Sequence, residues 1–142
     1  MKYGYNGYTI LGGIMQECFA LLIEEKLSVL LILLKIFPNL KGYNFIKEGA
    51  KRIIQDRDKK VKVGLKLYQE IANDHDTKLD VVDRSMRHCL DVSYKREGLI
   101  AFEKAFCIKF SSVKPRPKEL LCALAEMAYR EVQKEMAKLK LV

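Results

Sequence analysis

"TKLDVVDRSMRHCLDVSYKREG", residues 77–98, is the stretch whose reading decides the fold. An α-helix turns by about 100° per residue. With Val82 as origin, Val82, Ser85, Met86, Cys89, Leu90 and Ser93 fall in an arc from about −60° to +80°. Asp80, Arg84, Arg87, His88, Asp91 and Lys95 gather on the opposite side. The segment therefore predicts one helix with a narrow, small-residue core face and a continuous polar face. Thr77, with an acid three positions later at Asp80, predicts a capping-box start. Gly98 predicts a left-handed exit.

Immediately upstream, "LYQEIAND" (67–74) ends a helix expected over 63–73, with Leu65, Leu67, Tyr68, Ile71 and Ala72 as its apolar positions. The intervening "DHD" (74–76) reads as a solvated polar turn rather than an acid–base site. Helix, short turn, helix is the outline of a helix-turn-helix, in which the N-terminal half of the second helix meets base edges in the major groove. Arg84 and Arg87 lie in that half, and the planar fork of arginine suits the two acceptors of guanine. Asp83 could accept from a cytosine amino group or orient a neighbouring arginine. The pattern alone leaves another reading open. A solvated face would carry the ion pairs Asp80–Arg84, Asp83–Arg87 and Arg87–Asp91, and residues 71–98 have a net charge of −1, which is no simple phosphate grip.

The flanks complete an all-α chain. "MKYGYNGYTILGG" (1–13) reads as a loose Gly- and Tyr-rich arm, followed by a helix from about Ile14 to Ile36, broken near Ser28 and ended before Pro38. A second helix is expected over Tyr43–Gln55 with Phe45, Ile46, Ala50, Ile53 and Ile54 inward. Beyond Gly98 come a short helix at Leu99–Phe106, a basic loop "SSVKPRPK" (111–118), and a last helix from Pro117. Proline is tolerated in that first turn, and Leu121, Leu124, Ala128, Val132 and Met136 form the stripe of a packed face.

With 142 residues, 49% of them hydrophobic, the chain is the size of one domain with a real core. Its net charge of +8 is uneven: residues 41–70 carry +5 and residues 99–142 carry +4, while residues 1–40 are neutral. A basic chain suits a polyanionic partner, although lysine-rich surfaces also keep helical proteins soluble. Cys18, Cys89, Cys107 and Cys122 show no ligand spacing and read as buried, reduced thiols. No Gly-rich phosphate loop, nucleophile elbow or metal cluster is present in the sequence, so the expectation is a non-enzyme without metal or cofactor. "LSVLLILLKIF" (27–37) is too short for a membrane span and no signal-peptide pattern precedes it. The expectation is a cytoplasmic protein that does not bind membranes.

Several segments together resemble the C-terminal DNA-binding domain of the stage-zero sporulation response regulator. "LKGYNFIKEGAKRIIQD" (40–56) is similar to that family's "IKGY…LREAI" helix, and "LYQEIAND" (67–74) to its "LYPDIAK". "VVDRSMRHCLDVSYKRE" (81–97) resembles "RVERAIRHAIEVAWSRG", and "KPRPKELLCALAE" (114–126) resembles "KPTNSEFIAMVAD". The resemblance runs nearly without gaps from about Leu27 to Glu131. It implies an all-helical bundle of about six helices around a helix-turn-helix, binding GTCG-containing boxes as head-to-tail pairs to switch transcription. It further implies base contacts by Asp83, Arg84 and Arg87, with His88 near the backbone. Lys78, Lys114, Arg116 and Lys118 are then the expected phosphate contacts. The expected division is residues 1–26 as an arm and extra helix and residues 27–142 as the DNA-binding domain.

Three departures stand out. Val81 replaces a family arginine, Asp80 replaces a serine, and Asp83 is one methylene shorter than the family's glutamate. Residues 1–26 are also too short to be the receiver domain of full-length members, so control by a phosphoacceptor of its own is not expected. The expected partners are duplex DNA and a second copy, as a homodimer on tandem sites. The alternative is an interaction module that pairs with a full-length regulator without reading DNA itself.

Overall fold

The computed structural model describes residues 9–57 and 64–139. Six helices lie in these segments, with no strand among the described residues: α1 (Thr9–Leu33), α2 (Gly42–Gln55), α3 (Leu65–Asp74), α4 (Leu79–Lys95), α5 (Gly98–Phe106) and α6 (Pro117–Lys138). The all-α bundle expected from the sequence is the fold. α6 packs along both α1 and α2, α4 lies across α2 with α3 beside it, and α5 joins the ends of α1 and α4. Leu27, Leu31, Leu34, Ile46, Ile71, Met86, Phe102 and Leu121 are among the fully buried side chains.

The small residues on the inner face of α4 are explained by what approaches them. Val82, Ser85, Met86, Cys89, Leu90 and Ser93 are all buried, the same six that the helical period selects. At one end of the face, the start of α2 comes so close that a Cβ on Gly42 would sit 2.4 Å from the Ser85 carbonyl oxygen and 2.7 Å from Cys89 Sγ. At the other end, Ser93 Oγ donates a buried 2.6 Å hydrogen bond to the Leu34 carbonyl at the close of α1. Bulkier side chains at Ser85, Cys89 or Ser93 would push these elements apart.

Several local expectations are corrected. The left-handed exit of α4 is Glu97 (φ 61°), and no described glycine has positive φ. Gly98 is required for a different reason, since a Cβ there would lie 1.9 Å from the Leu34 carbonyl oxygen. The capping box does not form. Lys78 is the N-cap of α4, with extended backbone and no side-chain cap. α1 begins at Thr9, inside the stretch read as an arm, while residues 1–8 of that arm lie outside the described residues. It also runs unbroken through Ser28, whose Oγ donates to the Glu24 carbonyl one turn back at 3.1 Å. Leu65 is exposed rather than inward, and Ile53 is only partly buried. Of the four thiols, all free, Cys89 is buried, Cys18 is half-buried, and Cys107 and Cys122 are exposed.

Candidate nucleic-acid interface

α3 and α4 are joined by residues 75–78, and the N–H groups of His75, Asp76 and Thr77 all donate back to carbonyls of α3. Asp76 takes the left-handed conformation. The Thr77 N–H donates to the Ala72 carbonyl at 2.9 Å and the Asp76 N–H to that of Asn73 at 3.3 Å, which closes α3 as a Schellman motif. The Thr77 N–H is thereby committed to the end of α3, and α4 starts one residue later with Lys78 as its N-cap.

Side chains fix the same turn from outside. Arg52 on α2 bonds Glu48 at 2.7 Å, Glu70 of α3 at 3.5 Å, and Asp74 at the end of α3. Partial burial alone would lower the Arg52 pKa, but Glu48 and Asp74 outweigh it and raise the value. His75 lies 2.7 Å from the second oxygen of Glu48 and meets the Phe45 ring edge-on at 5.2 Å. The "DHD" turn is therefore not simply solvated. Asp74 and His75 anchor the turn between α3 and α4 to α2.

On α4, Asp80, Arg84, Arg87 and His88 are exposed, and Asp83 is half-buried at the margin. Asp83 Oδ2 holds Arg87 Nε at 2.9 Å, which leaves both terminal nitrogens of the guanidinium for a further partner. Asp83 is thus paired with a neighbouring arginine on its own helix. Arg84, with 73% of its side chain exposed, is held loosely, 3.9 Å from Asp80. The third anticipated pair, Arg87–Asp91, is replaced by a contact from another element. Lys114 in the basic loop reaches Asp91 at 3.3 Å and lies 5.6 Å from the centre of the Tyr94 ring. Between the helix and this loop is a shallow groove of about 250 Å³, lined by Arg87, Leu90, Asp91, Lys114 and Pro115.

Lys118, near the start of α6, is exposed beside Cys122; that residue is exposed overall, but partial desolvation of its thiol raises the pKa and Lys118 lowers it, with a net rise. The structure thus brings Asp83, Arg84 and Arg87 together on one helix face, with Lys114 beside them. Lys78 at the α4 N-cap, Arg116 at the α6 N-cap, and His88 are all exposed but stand outside these contacts. Pattern reading overlooked Lys66, exposed in the first turn of α3, where a helix-turn-helix can touch the backbone. Its position in that turn was the available signal.

Tyr68 of α3 is packed behind this face. Burial chiefly, and Asp83 secondarily, push its hydroxyl up from 10.0 to about 12, with Arg87 opposing. Burial likewise pushes the Cys89 thiol from 9.0 to about 11, partly offset by the Gly42 N–H. Both groups are neutral in the fold and ionise more readily in the unfolded chain. Their stabilisation is complete below about pH 9 and is lost as pH rises through the folded values, because the native state then binds more protons than the unfolded one. Denaturant melts should show stability falling from about pH 9 to about pH 12, and Tyr68→Phe should flatten the upper part of that decline. An unchanged slope in the variant would exclude Tyr68 as a source.

Among the described residues no helix is long and apolar enough to cross a membrane, and no group of three potential metal ligands occurs. Residues 28–128 match the family described as the sporulation initiation factor Spo0A C terminal, a stretch covering well over half of the chain. That family is one of DNA-binding transcription factors rather than of enzymes. The chain belongs to the Spo0A C-terminal family and is a DNA-binding, transcription-regulating domain of the sporulation type.

Proposed function

We propose that this domain reads duplex DNA by placing α4 in the major groove, where Arg84 and Arg87 contact guanines of a GTCG-containing box. The observation that carries this reading is the state of the two arginines. Asp83 pre-positions Arg87 through Nε alone, while Arg84 projects into solvent, held by a 3.9 Å pair to the Asp80 carboxylate and a long 3.4 Å bond from Nε to the Asp80 carbonyl. Exposed ion pairs of that kind are worth little, about 0–1 kcal/mol, so exchanging them for bidentate base contacts is inexpensive. Lys78, Lys114, Arg116 and Lys118, with His88, supply the phosphate contacts. Lys114 gives up Asp91 to do so, and Lys66 adds a contact at the start of α3.

In this reading two domains occupy tandem boxes as a homodimer in the cytoplasm. Residues 27–142 form the DNA-binding unit and residues 1–26 an addition, with α1 continuing across the division. Anisotropy titration against a box duplex and a scrambled duplex at two salt concentrations tests the proposal. Box-selective binding is expected, with a log–log salt slope of about −4.5 if the four lysines and Arg116 each neutralise one phosphate. Equal affinity for the two duplexes would overturn base reading.

One observation favours a second reading. Asp80 sits exposed in the first turn of α4, where it opposes a phosphate. A domain of this kind could instead pair with a full-length regulator and leave DNA alone. Failure of the purified protein to bind any duplex, together with capture by such a regulator, would select that reading.

A further inference from the structure

Apart from Lys78 at the helix start and His88, the phosphate contacts proposed above lie to one side of α4. With Val82 as origin, Asp83, Tyr94 and Arg87 fall at about +100° to +140° around the helix. Lys114 is on that side, against Asp91 and the Tyr94 ring, and Pro115, which precedes Arg116, lines the groove beside Arg87. Tyr68 and Cys122 lie near Asp83 and Arg87, which brings the starts of α3 and α6, with Lys66 and Lys118, to the same side.

The major groove is about 12 Å wide and a helix with its side chains about 10–12 Å across, so a helix seated there has a phosphate backbone on each flank. The second flank of α4 carries His88 and Lys95, at about −120° to −140°. It is built by α2 and by the link from α1. The start of α2 abuts α4 so closely that a Cβ on Gly42 would clash with the Ser85 carbonyl and Cys89 Sγ. Lys41, the α2 N-cap, therefore stands beside the turn of α4 that carries His88. At the end of α4, Arg96 Nη1 donates to the Lys35 carbonyl at 3.2 Å, and its guanidinium lies 5.7 Å from the centre of the Phe37 ring. The link from Lys35 to Lys41 thus runs alongside α4 from its end to its middle.

Lys35, Lys41, Lys95 and Arg96 are all exposed. None of them joins an ion pair among the described residues, whereas Arg87 and Lys114 on the first flank each hold a carboxylate. Glu97, next to Arg96, is exposed and offsets one of these four charges. A phosphate arriving on this flank displaces no carboxylate from the lysines.

We propose that Lys41 and Lys95 grip the phosphate backbone on the far side of the groove from Lys114, so that α4 is held between the two strands. Arg96, tied to the Lys35 carbonyl and Phe37, positions the link. The proposal rests on the reading of α4 as a major-groove helix and supplies the second half of its backbone contacts.

Anisotropy titrations of the full chain on the box and scrambled duplexes, between 50 and 200 mM salt, test it. Two further phosphates steepen the wild-type log–log slope from about −4.5 to about −6.3. Lys41→Gln combined with Lys95→Gln should remove about 1.8 of that slope on both duplexes, so the affinity lost across this salt range shrinks about tenfold. The ratio of the two affinities should stay as in wild type, because phosphate contacts carry no sequence information. Both side chains are exposed, so circular dichroism should match wild type. Lys138→Gln removes a charge about 30 Å along α6 from Lys118, beyond the screening length of about 10 Å, and should leave the slope unchanged. A double variant with the wild-type slope, or a Lys138→Gln variant that flattens it as much per charge, would overturn the proposal. Box selectivity of the wild type would in that case still support the reading of α4. A wild type that binds both duplexes alike would overturn that reading, and the proposal with it.

Discussion

Gly98→Ala is expected to cost at least about 3 kcal/mol and to lower the melting temperature by about 10 °C or more. The new Cβ would lie 1.9 Å from the Leu34 carbonyl oxygen, 2.3 Å from the Leu34 carbonyl carbon and 2.8 Å from Ser93 Oγ. Two of these three atoms are backbone, so no rotamer change relieves the clash. The close of α1 would have to move away from the start of α5, taking with it the buried Ser93–Leu34 hydrogen bond. Backbone conformation is not the cause, because Gly98 does not have positive φ. Ser93→Ala serves as a calibrated comparison. It leaves the Leu34 carbonyl without that donor and should cost about 1–3 kcal/mol. Thermal melts followed by circular dichroism would measure both. A Gly98→Ala protein melting like wild type would mean that α1, α4 and α5 do not meet as described.

The second large effect concerns DNA. Arg84→Ala and Arg87→Ala should each weaken binding to a box duplex by about 1–3 kcal/mol while changing affinity for a scrambled duplex little. Neither should unfold the domain, since both side chains are largely exposed and each joins one α4 carboxylate. The two sites differ in a testable way. Asp83→Ala removes the group that fixes Arg87 and should reproduce part of the Arg87→Ala loss, whereas Asp80→Ala removes a negative charge beside Arg84 and should tighten binding to any duplex. Lys118→Ala, by contrast, should weaken binding to both duplexes alike and make the salt slope shallower by about 1.

The sequence made α4 legible down to its individual core residues because helical period is a local property, fixed by about 100° per residue whatever the neighbours do. The helix-turn-helix outline was legible for the same reason. What escaped was set by contacts between distant residues. Gly98 reads equally well as a left-handed exit or as a close approach, and only the position of Leu34 distinguishes them. The Thr77 capping box is a sound local motif, but the Schellman closure of α3 claims the Thr77 N–H first. Glu48 and His75 are 27 residues apart, so nothing in "DHD" announced its anchorage to α2. The start of α1 was missed because Gly12 and Gly13 each weaken a helix by about 1 kcal/mol, a penalty that a long helix packed on α6 absorbs. On the candidate interface, the arginine face was legible from its spacing. The pairing of Lys114 with Asp91 was not, since the loop and the helix approach only in the fold.

The central claim, that α4 reads guanine in the major groove, is tested most directly by removing the acceptor rather than the protein group. The affinity of wild type and of Arg84→Ala is measured on a box duplex and on the same duplex carrying 7-deazaguanine, which lacks the N7 acceptor. If Arg84 reads guanine, wild type loses affinity on the 7-deazaguanine duplex, and Arg84→Ala, already weak, binds the two duplexes nearly alike. If the losses from the variant and from the modified base simply add, or if wild type is indifferent to 7-deazaguanine, Arg84 does not read that edge and the account of α4 as a recognition helix is contradicted.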